Sequence, residues 1–124
     1  MPTVFGLLER AAAAAPDTVA IHYGADRWTW RELEDAARRA AAGLAALGVG
    51  AGDRVAFWLP NTVAYVAAYF GCAQLGAIAV AVNTRYRAKE VADIVSRSGA
   101  KVLMLWPGFR GIDFLSILDE VRAD

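Results

Sequence analysis

Hydrophobic positions along this chain follow two spacings, a helical repeat and short continuous runs, which alternate along its length. The first stretch has the helical spacing, between a cap at Thr3 and a stop at Pro16, which cannot continue a helix. The apolar side of this predicted helix consists of Phe5, Leu8 and Ala12. Two strand-like runs follow, Val19–Tyr23 and Arg27–Trp30, and the Gly24-Ala25-Asp26 link between them predicts a β-hairpin.

A long amphipathic helix is predicted after the hairpin. Thr29-Trp30-Arg31-Glu32 matches the Ser/Thr-x-x-Glu capping box, and Gly48 supplies the left-handed residue beyond the helix end. The apolar residues at helical spacing between these signals are Leu33, Ala37, Ala40, Leu44 and Leu47. The start signal, the stop signal and the spacing therefore predict the same helix.

Continuous apolar runs separated by helices dominate the rest of the chain. The predicted strands are Arg54–Leu59, Ala77–Val82 and Lys101–Trp106. One predicted helix lies between Thr62 and Gly76, another spans Ala88–Ser98, and a last helix carries Phe114, Leu115, Leu118 and Val121. This alternation predicts an α/β fold, a parallel sheet with helices on both faces, preceded by a helix and a β-hairpin.

The uncharged run from Thr62 to Val82 is long enough to cross a bilayer, so a membrane helix is the rival interpretation. Gly71 and Gly76 interrupt this run, its second half is rich in Val and Ile, and no cluster of Lys or Arg flanks it. We therefore predict a helix followed by a strand, and no membrane span.

Composition narrows the class of protein. Lys+Arg and Asp+Glu each number 13, and this charge balance predicts no nucleic-acid binding. Cys72 is the single cysteine and lies in an apolar run, so it is expected to be a core residue in a reducing, cytoplasmic compartment. The sequence has no P-loop and no paired His or Cys ligands, so we predict no metal site and assign no catalytic residue.

The loop Asn83-Thr84-Arg85-Tyr86-Arg87 is the candidate binding segment. It follows the carboxyl end of a predicted parallel strand and precedes a helix, a position at which open α/β sheets bind ligands. Two arginines, an aromatic ring and the N–H groups of the helix start could hold a phosphorylated nucleotide. Arg110 has a comparable place after the next strand. On the residues alone, a solvated turn with Asn83 as its turn residue is the simpler interpretation.

Short sequence pieces, in this order, resemble the N-terminal region of acyl-CoA synthetases, which belong to the adenylate-forming AMP-binding superfamily. The matching pieces are Thr29-Trp30-Arg31-Glu32-Leu33, Gly48-Val49 through Gly52-Asp53-Arg54-Val55-Ala56, Leu59-Pro60-Asn61, Gly76-Ala77, Val82-Asn83, Glu90 and Ser98-Gly99-Ala100-Lys101-Val102. The loop at Asn83 and the segment from Trp106 to Phe114 look more like a fatty-acyl or aromatic-acyl ligase than an acetate-activating one. The resemblance implies that residues 1–124 are the N-terminal part of the AMP-binding domain, an incomplete part of that fold.

The resemblance implies an ATP-dependent ligase that joins a carboxylic acid to CoA with ATP, Mg²⁺ and CoA as cofactors. In that family the carboxylate first attacks the α-phosphate of ATP, releasing pyrophosphate, and the CoA thiol then displaces AMP. The family's phosphate loop and C-terminal lid domain are absent from residues 1–124. We therefore expect the chain to be inactive by itself and to bind none of these cofactors tightly.

The resemblance also implies one binding role. In acetyl-CoA synthetase-like members, the loop that corresponds to Asn83-Thr84-Arg85 lies near the adenine and 3′-phosphate of CoA, and an arginine close to the position of Arg110 assists. This chain has Asn-Thr-Arg where those members have an aromatic residue followed by glycines. Our hypothesis is a rim for the CoA nucleotide formed by Asn83, Thr84, Arg85, Arg87 and Arg110.

A free-standing, non-catalytic α/β binding or interaction module derived from the same fold is the alternative function. Its open sheet edge and apolar surface would favour a partner or a homo-oligomer. A clean monomer in solution would count against this alternative.

Overall fold

The computed structural model describes residues 3–105, 108–109 and 112–123 of the chain. Within them the helices are α1 (Val4–Ala14), α2 (Trp30–Ala46), α3 (Val63–Leu75), α4 (Ala88–Ser98) and α5 (Phe114–Ala123). The strands are β1 (Val19–Tyr23), β2 (Asp26–Thr29), β3 (Arg54–Trp58), β4 (Ile78–Ala81), β5 (Val102–Leu105), β6 (Gly108–Phe109) and β7 (Ile112–Asp113).

The strands β3, β4 and β5 form a parallel sheet in the order β4-β3-β5. Ala56 of the central strand pairs with Val80 of β4 on one side and with Leu103 of β5 on the other. The chain therefore moves from β3 to one edge through α3, and then back across β3 to the other edge through α4. Since parallel crossovers are right-handed, this order places α3 and α4 on opposite faces of the sheet.

Alternate residues of β3 pack into different hydrophobic clusters, one on each face of the sheet. The first cluster contains Val55, Phe57 and Leu59 together with Ala68 and Cys72 of α3. The second contains Ala56 and Trp58 together with Val91 of α4. The α/β fold predicted from the sequence, with helices on both faces of a parallel sheet, is confirmed.

The helices α1 and α2 extend the first face by packing on α3. Their cluster buries Phe5, Leu8, Leu33 and Ala37. The predicted capping box starts α2: the Thr29 N–H donates to Glu32 Oε1 at 3.0 Å, and the Glu32 N–H donates to Thr29 Oγ1 at 3.2 Å. The predicted cap of α1 is also present, because the Gly6 N–H donates to Thr3 Oγ1 at 2.9 Å.

Three local expectations differ from the structure. Trp30 is the first residue of α2 rather than the end of a hairpin strand, because Thr29 is the N-cap. Tyr23 pairs with Asp26, so only Gly24-Ala25 connects the hairpin strands. Leu47 is 64% exposed as the C-cap of α2, and the inner face of that helix uses Ala41 instead.

Near the chain end the sequence predicts only a turn at Pro107-Gly108. The structure has a short antiparallel pair there, with Phe109 of β6 opposite Ile112 of β7. Each of these strands has 2 residues, too few to show an alternation of apolar and polar positions. Trp106 and Pro107 lie outside the described residues.

The long apolar run after Thr62 divides between two elements. Thr62 caps α3, and Gly76 ends this helix with a left-handed φ of 73° before β4 begins. Among the helices of the described residues, none combines the length and the apolar character needed to cross a membrane. The prediction of a helix followed by a strand is confirmed.

Candidate functional site

The carboxyl ends of β3 and β4 frame a cleft of about 690 Å³. Leu59-Pro60-Asn61 leaves β3 on one side of the cleft, and Val82-Asn83-Thr84 leaves β4 on the other. Three tyrosines line it as well, namely Tyr23, Tyr65 and Tyr86. The described lining residues carry no charge, so the cleft offers aromatic faces and neutral hydrogen-bonding groups.

Packing holds two of these tyrosines in place. The ring of Tyr65 meets Phe57 edge to face, with 5.0 Å between the ring centroids. The ring of Tyr86 packs on the cluster that contains Val82 and Val91. Aromatic rings fixed on a sheet and its helices form rigid walls, which suits a site that must keep its shape.

The sequence indicates only part of this cleft. Asn61 follows the carboxyl end of β3 and could have been found by the rule that identified the loop after β4. Tyr65 follows the Thr62 cap by a turn of helix and carries no separate signal. Tyr23 comes from the hairpin, whose position beside the sheet follows from tertiary packing and not from any local pattern.

The predicted binding loop is an ordered turn in the structure. Asn83 Oδ1 accepts a hydrogen bond from the Arg85 N–H at 2.9 Å, and the Asn83 carbonyl accepts one from the Tyr86 N–H at 3.0 Å. An Asn side chain that bonds the backbone two residues on is an Asx turn. The expected turn role of Asn83 is therefore present, and the residue also lines the cleft.

The side chain of Arg87 folds back over the loop. Its Nη1 donates to the Arg85 carbonyl at 2.8 Å and to the Tyr86 carbonyl at 3.2 Å. The Arg87 N–H donates to Glu90 Oε2 at 3.2 Å, which joins the loop to the first turn of α4. This N–H is therefore already occupied and is not one of the helix-start donors that remain for a ligand.

The structure separates the four predicted rim residues that it describes, namely Asn83, Thr84, Arg85 and Arg87. Asn83 and Thr84 line the cleft, and Arg85 is exposed on the outer side of the loop. Arg87 lies along a groove beside α4 that Glu120 of α5 also lines. No described residue accepts a hydrogen bond from the Arg85 guanidinium, which leaves its fork of donors available to a phosphate. Arg110 lies outside the described residues.

The strand order gives the loop an unexpected position in the sheet. The connection after β3 runs to one side of the sheet, and the connection after β4 runs back to the other side, so the crossover direction reverses between β3 and β5. Open α/β sheets usually bind ligands in the crevice at such a reversal. The loop follows β4, on the other side of β3. The cleft therefore lies between the ends of β4 and β3, next to the crevice between β3 and β5 where the crossover direction reverses. Only the order of the strands in the sheet shows this difference.

A charged contact lies at the opposite end of the sheet, where β3 and β5 begin. Lys101 Nζ donates to the Gly48 carbonyl at 2.8 Å and lies 3.5 Å from Asp53 Oδ2, which accepts the Gly50 N–H at 2.8 Å. The hydrogen bond from Gly50, aided by the charge of Lys101, lowers the pKa of Asp53 below its ordinary value. These residues precede β3 and β5, so they join two loops at the amino end of the sheet.

Among the described residues, neither the cysteine nor the potential metal ligands form a second candidate site. Cys72 is buried, and burial raises the pKa of its thiol, so it is not an activated nucleophile. Within residues 3–105, 108–109 and 112–123, no three His, Cys, Asp or Glu side chains group as metal ligands would.

Comparison with known proteins identifies the family. The family model described as AMP-binding enzyme matches residues 8–123. Over 118 residues the chain is 44% identical to a 3-[(3aS,4S,7aS)-7a-methyl-1,5-dioxo-octahydro-1H-inden-4-yl]propanoyl:CoA ligase of Mycobacterium tuberculosis, which covers 95% of this chain and 23% of that ligase. It is 41% identical over 97 residues to the long-chain-fatty-acid–CoA ligase FadD13 of the same species, covering 78% of this chain and 18% of FadD13.

Solved structures give the same result. The N-terminal domain of FACL13 from Mycobacterium tuberculosis superposes with a TM-score of 0.91 at 36% identity, covering 100% of this chain and 31% of that one. The anthranilate CoA ligase AuaEII superposes with a TM-score of 0.89 at 26% identity, covering 98% of this chain and 22% of that one. The chain spans about a fifth of the length of the curated relatives it matches. By the match across nearly all of its residues, this chain belongs to the AMP-binding enzyme family.

Proposed function

We propose that residues 1–124 act as the N-terminal part of the AMP-binding domain of an ATP-dependent acyl-CoA ligase. The observation that carries this proposal is the alignment with a ligase that is 44% identical. The aligned region covers 95% of this chain but only 23% of that ligase. The reaction joins a carboxylic acid to CoA and converts ATP to AMP and pyrophosphate. Residues 1–124 by themselves are inactive, since the phosphate loop and the lid domain lie outside them.

The full-length enzyme uses ATP, Mg²⁺ and CoA, and this segment contributes to only part of that work. The exposed guanidinium of Arg85, in the loop that lines the uncharged cleft, suits a phosphorylated ligand. CoA supplies the thiol that accepts the acyl group. The rim for its nucleotide consists of Asn83, Thr84, Arg85, Arg87 and Arg110.

The rim is tested in the full-length ligase by replacing the three arginines together. The combined Arg85→Ala, Arg87→Ala and Arg110→Ala variant should raise the KM for CoA, because it removes the positive charge of the rim that is proposed to bind the nucleotide phosphates. An unchanged KM for CoA in the triple variant would refute the rim.

The ligase assignment is tested by grafting. Replacing the corresponding N-terminal segment of Mycobacterium tuberculosis FadD13 with residues 1–124 should give a protein that forms acyl-CoA when ATP is present. FadD13 without its own segment serves as the inactive control. A graft that unfolds cooperatively but forms neither acyl-adenylate nor thioester would contradict the proposal.

Exposed apolar groups support the second candidate, a non-catalytic interaction module that associates with itself. Ile78 on the edge strand β4 is 46% exposed. A groove of about 360 Å³ nearby is lined by Val4 and Tyr69, both of which are also exposed. Sedimentation of the 124-residue chain separates the candidates, since the module should form a dimer that Ile78→Lys dissociates.

Cellular location is proposed to be the cytoplasm. The support is chemical: Cys72 is the single cysteine of the chain, and its thiol is buried. A chain without a disulfide suits a reducing compartment. Fractionation of the cells that express the chain, with detection by antibody, tests this location.

A further inference from the structure

We infer that Arg87 is a positioning residue, whose guanidinium holds the loop 83–87 in the shape that presents Arg85 to the CoA nucleotide. The inference rests on the proposed role of this loop in CoA binding. It gives the two arginines different tasks: Arg85 contacts the ligand, and Arg87 acts through Arg85.

The contacts of Arg87 are made with the backbone of the loop. Its Nη1 donates to two successive carbonyls, that of Arg85 at 2.8 Å and that of Tyr86 at 3.2 Å. A planar guanidinium has five N–H donors in a fixed arrangement, so it can hold both oxygens in one geometry. These two hydrogen bonds fix the carbonyl groups of Arg85 and Tyr86, just before the chain enters α4 at Ala88.

Asn83 holds the other side of the same residue. The Arg85 N–H donates to Asn83 Oδ1 at 2.9 Å, while the Arg85 carbonyl accepts from Arg87. Both backbone polar groups of Arg85 are therefore bound within the loop. Its guanidinium is the part of Arg85 with no partner among the described residues. A residue fixed by its backbone and free at its charged end suits a ligand contact.

Neighbouring contacts anchor this unit to the fold. The Tyr86 ring packs on the cluster that contains Val82 and Val91, whereas the residues on either side of it are exposed. The Arg87 N–H donates to Glu90 in α4. In this loop Tyr86 is fixed by packing, whereas Arg85 and Arg87 are exposed, and the Arg87 side chain is hydrogen-bonded to the loop backbone. Fixing a contact before the ligand arrives reduces the ordering cost of binding.

The test is a double-mutant cycle in the full-length ligase, with the KM for CoA as the readout. Arg85→Ala should raise this KM roughly tenfold, the effect of losing a charged hydrogen bond to phosphate. Arg87→Ala should raise it about threefold alone and not at all in the Arg85→Ala background, because a positioning residue has nothing left to position. Asn83→Ala should behave in the same way as Arg87→Ala.

Arg97→Ala is the matched control, since it removes the same charge from an exposed site on α4 whose ion pair is with Asp93 at 3.4 Å. It should leave the KM for CoA unchanged. The CoA-independent adenylate-forming step and the melting temperature report whether each variant is folded. If Arg87→Ala does not fold, Arg87→Lys carries the test: it keeps the charge but not the planar fork, and it should also raise the KM for CoA only when Arg85 is present.

The outcomes separate the inference from the function on which it rests. Effects of Arg85→Ala and Arg87→Ala that multiply would mean that Arg87 contacts CoA itself, which overturns the positioning role. A raised KM in Arg85→Ala with no effect of Arg87→Ala or Asn83→Ala overturns the inference and leaves the CoA site intact. No effect of Arg85→Ala overturns both.

Discussion

Gly71 of α3 lies against the backbone of Ala41 in α2 so closely that a Cβ at Gly71 would be 2.9 Å from the Ala41 nitrogen. The same Cβ would be 3.2 Å from the Ala37 carbonyl oxygen. Both obstacles are backbone atoms of a helix, which cannot rotate away as a side-chain end can. Gly71 therefore sets the distance between α2 and α3.

We predict that Gly71→Ala destabilises the 124-residue chain by about 1–3 kcal/mol, the usual cost of overpacking. This cost outweighs the gain of up to about 1 kcal/mol that Ala normally brings to a helix interior. Urea denaturation measures the change. Gly43→Ala is the control, because nothing lies within 4 Å of a Cβ there, and it should be neutral or stabilising. Equal effects of the two substitutions would contradict the close contact.

Asp53 should make stability depend on pH in the acid range. Its pKa is lowered in the folded chain, mainly by the Gly50 N–H, so its ionised form stabilises the fold above the ordinary value of 3.8. That contribution is lost as pH falls through the lowered folded pKa. Unfolding by urea between pH 7 and 2 should show a loss of stability that is smaller in Asp53→Asn.

Lys101→Met tests the order of causes at Asp53. Since the Gly50 hydrogen bond is the largest cause and Lys101 contributes less, an NMR titration of this variant should give a pKa that rises but stays below 3.8. A return to the ordinary value would mean that the ion pair, and not the backbone, dominates.

Cys72 should be unreactive until the chain opens. It is 1% exposed against β3, and burial raises the pKa of its thiol, so both access and thiolate are lacking. Modification by a disulfide reagent should be slow in buffer and rapid in denaturant. Cys72→Ser should cost about 1–3 kcal/mol because it buries a hydroxyl in an apolar site, whereas Cys72→Ala should cost less. Rapid labelling of the native chain would contradict this burial.

The cap of α2 should be worth about 1 kcal/mol, so Thr29→Ala should lower the free energy of unfolding by that amount. The reason is the pair of reciprocal hydrogen bonds between Thr29 and Glu32. Thr18→Ala, at an exposed position just before β1, is the control and should change stability little. Thermal unfolding of both variants checks the difference, which should be absent if the cap does not form in solution.

Local chemistry explains why much of the fold was predictable. Thr3, Thr29 and Thr62 start helices because their hydroxyls accept backbone N–H groups, and Gly76 and Gly99 end helices in the left-handed region. Such signals act within a few residues, so they can be found in sequence. The order β4-β3-β5 and the fit of Gly71 on Ala41 join residues far apart in the chain and carry no local signal.

In the candidate site as well, the features with a local sequence signal were predictable and those set by tertiary packing were not. Asn83 has the residue type and position of a turn residue, and its turn is present. The backbone contacts of Arg87 and the approach of Tyr23 to the cleft depend on side-chain direction and on tertiary packing. A sequence pattern places an arginine on a loop but does not tell whether its guanidinium faces the ligand or the loop itself.

The most direct test of the central claim is the intact mass of the native protein that carries these residues, captured from its cells with an antibody to this segment. We predict a species several times heavier than the 13.3 kDa of residues 1–124, because the curated ligases that this chain resembles are several times longer than the segment it matches. A native species of 13.3 kDa would contradict the claim and would assign the chain to binding or assembly.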